Sequence, residues 1–68
     1  MNPDTFNMSI RKFLKTVGVH SQREIETAVE RARAAGKLQG NETLNAKMRL
    51  TVDGVDLSVD FDGKISLE

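Results

Sequence analysis

Residues 46–67 read AKMRLTVDGVDLSVDFDGKISL, and the period of their apolar positions decides the fold class. Ala46, Met48, Leu50 and Val52 alternate with Lys47, Arg49 and Thr51. Val55, Leu57, Val59 and Phe61 alternate with Asp56, Ser58 and Asp60, and Ile65 and Leu67 alternate with Lys64 and Ser66. A period of two marks half-buried strands. The two Asp-Gly pairs, Asp53-Gly54 and Asp62-Gly63, are hairpin signals between the runs. The pattern predicts three strands, at about 46–52, 55–61 and 64–67, in an antiparallel meander.

Parity then sets an expected register. A two-residue loop at Asp53-Gly54 sets Val52 opposite Val55, Leu50 opposite Leu57 and Met48 opposite Val59. The second Asp-Gly cannot repeat that loop, because Val59 would face Ser66. A three-residue loop of Phe61, Asp62 and Gly63, with Gly63 left-handed, sets Val59 opposite Ile65 instead. All apolar residues then share one face. On the other face Lys47 is expected opposite Asp60.

Upstream of residue 46 the period is helical. Asn2 is an expected N-cap, Pro3 suits the first helical position, and Asp4 lies where the helix dipole favours an anion. Phe6, Ile10, Phe13, Leu14 and Val17 recur on one stripe. Gly18 follows as an expected left-handed cap, with Val19 placed for its apolar contact. Ser21 and Glu24 then match the S-x-x-E capping box, and Ile25, Ala28, Val29, Ala32 and Ala35 make a second stripe that ends at Gly36. These signals predict two helices, at about 3–17 and 22–35, with residues 39–45 as a polar connection. The expected architecture is α+β: a single ααβββ domain over 1–68, with both helices on one face of the sheet.

Composition narrows the function classes. With 68 residues and no cysteine, disulfides and thiolate metal sites are excluded, and one histidine, His20, cannot build a zinc site alone. No cofactor is expected. His20 next to Ser21 lacks an orienting acid, so it reads as a surface histidine rather than a base beside a nucleophile. Asp53, Asp56, Asp60 and Asp62 lack the EF-hand glycine and terminal glutamate. No Gly-rich phosphate loop occurs, so the chain reads as a non-enzyme. The N-terminal MNPDTFNMSIRKF lacks a basic region followed by an apolar run, and no apolar stretch approaches a membrane span. A cytoplasmic protein with no membrane association is the expectation. Residues 1–52 carry nine Lys/Arg against five Asp/Glu, and residues 53–68 carry one against five.

One feature departs from simple patterning. Met8 lies nearly opposite the apolar stripe of the first helix, beside Arg11, Lys12 and Lys15, in one continuous i, i+3, i+4, i+7 strip. Met8, Arg11, Lys12 and Lys15 are the candidate partner-binding residues, suited to an acidic, partly apolar protein. The competing reading is a winged-helix nucleic-acid binder using Arg23, Arg31, Arg33 and Lys37. Its recognition helix would be neutral, because Glu24, Glu26 and Glu30 interleave with the arginines, and its hairpin acidic, so nucleic acid is the disfavoured partner. Open sheet edges permit a monomer or a weak homodimer, with Lys47 and Arg49 discouraging strand addition.

The run FNMSIRKFLKTVGVHSQREIETAVERARAAGKLQGNETLNAKMRLTV, residues 6–52, resembles a family of short uncharacterised bacterial proteins. The resemblance implies a small bacterial protein and no activity, cofactor or catalytic residue. Taken together, the sequence points to a small non-enzymatic protein-interaction module, an adaptor or regulator.

Overall fold

The computed structural model describes residues 1–68 as one helix and two strands: α1 (Pro3–Ala34), β1 (Thr43–Val52) and β2 (Leu57–Ser66). The chain divides into two compact units, Met1–Lys37 and Leu38–Glu68. Both the helix count and the strand count differ from the sequence-based expectation.

The first unit starts as its capping residues dictate. Asn2 Oδ1 accepts from Asp4 N–H at 3.0 Å and from Thr5 N–H at 3.2 Å, with Pro3 and Asp4 in the first turn. Its end is also the expected one. Gly36 sits at φ +75°, Gly36 N–H donates to Arg33 O at 3.0 Å, and Lys37 N–H donates to Ala32 O at 2.9 Å. These two bonds satisfy carbonyls that the last turn would leave orphaned. The carbonyl end carries Arg31 and Arg33, which favour the negative pole of the dipole.

The break expected at residues 18–21 does not form, which corrects the two-helix reading. Gly18 has no positive φ and lies inside a continuous 32-residue helix, roughly 48 Å long at 1.5 Å per residue. Ser21 and Glu24 form no capping box, because in an unbroken helix the amide N–H groups at 21–24 are already committed to carbonyls one turn back. The physical reason is cumulative. An interior glycine costs about 1 kcal/mol, whereas a break must satisfy two new sets of four orphan groups. The apolar stripe also does not end at Gly18. Phe6, Ile10, Leu14, Val17, Ser21, Ile25, Ala28 and Ala32 follow one 4-4-3 spacing, an 11-residue period close to the 3.6-residue turn. Two stripes read separately are thus one stripe, bulky in its first half and small in its second.

A short connection precedes the hairpin, and Glu42 organises it. Its Oε2 accepts from Gln39 N–H at 2.9 Å, and its Oε1 accepts from Gly40 N–H at 2.9 Å and Asn41 N–H at 3.2 Å. Gly40 takes φ +104°, which turns these amides toward one carboxylate. These bonds, that from Gln39 first, hold the Glu42 carboxyl below its ordinary value.

The second unit is a two-stranded antiparallel sheet, not a three-stranded meander. Val52 pairs with Leu57, Leu50 with Val59, Met48 with Phe61, Ala46 with Gly63 and Leu44 with Ile65. The loop is therefore four residues, Asp53 to Asp56, with Gly54 at φ +89° and Asp56 at φ +53°. Aspartate is one of the few residues besides glycine that tolerates this region. The register is displaced by two residues from the expected one. Because two is the pleat period, every apolar residue of the two strands keeps its face, while Val55 passes from strand to loop.

The displacement changes which charges face each other. It sets Arg49 rather than Lys47 opposite Asp60, and Lys47 opposite Asp62. Arg49 Nε lies 2.8 Å from Asp60 Oδ1, which raises the guanidinium pKa, and Lys64 Nζ donates to Asn45 Oδ1 at 2.6 Å. Both basic residues of β1 thus face acids, where the expected register would have left Arg49 opposite Ser58.

The expected third strand, 64–67, is the continuation of β2. Gly63 stays in extended backbone opposite Ala46, with no positive φ. β1 likewise starts at Thr43, so Leu44 belongs to the ladder and not to the connection, and Leu67 N–H donates to Glu42 O at 2.9 Å beyond it. One ladder of ten pairs outcompetes two short ladders that need a second loop closed.

Candidate functional site

The continuous helix strengthens the geometry of the strip. Met8, Arg11, Lys12 and Lys15 all lie on α1 and all are exposed, Met8 to 70%. Side chains three and four residues apart on a helix are neighbours, about 5–6 Å between Cβ atoms. Because the helix runs through Gly18, Val19 extends the strip at i+4 from Lys15, and it is 43% exposed. The residue expected to staple a helix end is instead a second exposed apolar side chain on the strip, eleven positions from Met8. Sequence reasoning did not place Val19 on the strip, because its position there depends wholly on whether Gly18 breaks the helix.

The strip is electrostatically one-sided. No acidic residue stands three or four positions from Arg11, Lys12 or Lys15, and the ion pair of the chain is Arg49–Asp60, in the hairpin. Arg11 and Lys15 form an i, i+4 like-charge pair, and Lys12 and Lys15 an i, i+3 pair. Each costs an isolated helix roughly 0.2–0.5 kcal/mol. An anion bridging the three would relieve that repulsion.

The other sites weighed in the sequence are dispersed. His20 is an exposed helical residue, and Ser21 lies within the helix beside it. Asp53 and Asp56 belong to the hairpin loop, Asp60 is paired with Arg49, and Asp62 stands across from Lys47. No three His, Cys, Asp or Glu side chains come together to hold a metal ion. Arg23, Arg31 and Arg33 share α1 with Glu24, Glu26 and Glu30, and the helix-to-helix turn that a winged-helix reading places before them is absent. No helix is long and apolar enough to cross a membrane.

Residues 1–68 match the model of a family of unknown function (DUF6494), and the chain belongs to that family. No curated protein and no solved structure matches it.

Proposed function

For this member of the DUF6494 family we propose a non-enzymatic protein-interaction role, with the α1 strip as its docking face. The strip of Met8, Arg11, Lys12, Lys15 and Val19 offers two apolar anchors separated by three cations with no acidic neighbour on the helix. Methionine is a flexible, polarisable contact suited to irregular partner surfaces. The cations would steer an acidic partner and set its register. The partner chemistry that fits is an acidic segment with apolar side chains spaced to reach Met8 and Val19. The observation that carries this reading is the unrelieved like-charge clustering around an exposed methionine.

Affinity capture of the tagged protein from its native lysate, with half the sample nuclease-treated, tests it. A protein that survives nuclease, is lost with Lys12→Glu and with Met8→Ser, and binds with mild salt sensitivity when purified supports the reading. Capture that vanishes with nuclease, or a partner set unchanged by the Met8→Ser/Lys12→Glu double variant, refutes it.

A further inference from the structure

We infer that the free edge of β2 is a homodimerisation edge, on which β2 of a second copy pairs antiparallel with Gly63 opposite Gly63. This surface is separate from the α1 strip, and the inference does not depend on that reading. A two-stranded hairpin is marginal in water, and it gains most by adding strands. Here each of the two strands has one edge without a strand partner.

The backbone bonding fixes what β2 offers. Leu67 N–H donates to Glu42 O, one step beyond the ladder, so the odd-numbered residues of β2 direct their backbone groups toward β1. Ser58, Asp60, Asp62, Lys64 and Ser66 therefore present N–H and C=O outward. Charge then selects the register. Antiparallel self-pairing that keeps the apolar faces together must shift in steps of two. Centred on residue 61, it opposes Asp60 to Asp62 twice. Centred on Asp62 or on Lys64, it opposes that residue to itself. Centred on Gly63, it opposes Asp62 to Lys64 twice and no like charges. That register also sets Phe61 against Ile65 and Val59 against Leu67 on the apolar face, where Phe61 is 57% exposed. Glycine at the centre brings the two backbones together without side-chain interference.

The edge of β1 does not compete. Self-pairing centred on Met48 opposes Lys47 to Arg49, and β1 carries no acid that any other register could set against these cations, so no register gains a charge pair. Pairing β1 with β2 of another copy is head-to-tail and builds a ring or a filament, not a two-fold dimer. The β2 edge alone gives a closed, two-fold, four-stranded sheet with one continuous apolar face.

The full chain contains no cysteine, so single cysteine variants report cleanly. A Cβ at Gly63 meets nothing within 4 Å, so Gly63→Cys is tolerated in the hairpin. At the two-fold its partner lies about 4.5–5.5 Å away between Cα atoms, within disulfide reach. Mild oxidation should link Gly63→Cys into a covalent dimer, while Ser58→Cys, about 30 Å from its own copy at 3.3 Å per residue, stays unlinked. Sedimentation equilibrium supplies the second arm. Lys64→Asp and Asp62→Lys should each weaken self-association about tenfold or more, and their equimolar mixture should restore it, because the mixed pair again opposes acids to bases. A wild-type chain that stays monomeric at millimolar concentration overturns the inference. So does Ser58→Cys linking as fast as Gly63→Cys, or a dimer that neither charge variant weakens. Should a charge variant fail to fold, the cysteine pair decides alone.

Discussion

Replacing Gly18 by alanine interrogates the continuity of α1 directly. In the structure Gly18 is an interior helical residue with ordinary φ, and a Cβ added there meets nothing within 4 Å. Alanine therefore brings no clash. It removes the backbone freedom that glycine loses on entering a helix, worth about 0.8–1.0 kcal/mol. Thermal and urea unfolding followed by circular dichroism at 222 nm should show that gain, with helical content unchanged or slightly higher. Ser21→Ala supplies a second sign. Inside a helix alanine is neutral or favourable, whereas at an N-cap its introduction costs about 1 kcal/mol. If Gly18 were a left-handed cap, alanine would cost about 1–2 kcal/mol. A fall in stability for both variants would refute the single helix and restore a break at 18–21.

The remaining predictions test the hairpin, its connection and the strip. Gly54→Ala should destabilise by about 1–2 kcal/mol because φ is +89°, while Gly63→Ala, in ordinary strand backbone, should stabilise by about 0.5–1 kcal/mol, both read by urea titration. Similar signs at the two sites would contradict the register. The Glu42 carboxyl is held below its ordinary value of 4.5 by backbone N–H groups, so its contribution is present above that value and fades as pH falls through the lowered one. Glu42→Gln should therefore lower Tm at neutral pH and flatten its decline in acid; an unchanged pH profile would count against the carboxylate as the organiser of the connection. Met8→Ser and Lys12→Glu, both exposed, should each change folding stability by no more than about 0.5 kcal/mol in calorimetry, which separates loss of binding from loss of fold.

Legibility varied with the range of the physics involved. The N-cap at Asn2 and the end at Gly36 were readable because each rests on a few neighbouring residues and one backbone requirement. The two faces of the hairpin were readable because strand parity survives any even displacement. Met8, Arg11, Lys12 and Lys15 were readable as one strip, since they lie within two helical turns. Val19 was not, because its place depends on what Gly18 does.

The sequence by itself determined the helical and strand periods, the outer ends of the helix and the sorting of apolar from polar residues across the hairpin. Only the folded chain decided whether Gly18 and Gly63 are breaks or are passed through, and how many residues close the loop after Val52. Each choice involves local alternatives that differ by about 1 kcal/mol. Local chemistry at Asp62-Gly63 is the same as at Asp53-Gly54, yet one pair lies in a strand and the other in a turn. The difference lies in what distant partners gain: ten ladder pairs with Arg49 set against Asp60, and a helix whose carbonyls and amides stay bonded through position 18. Those gains are summed along whole elements, so no window around the glycines contains them.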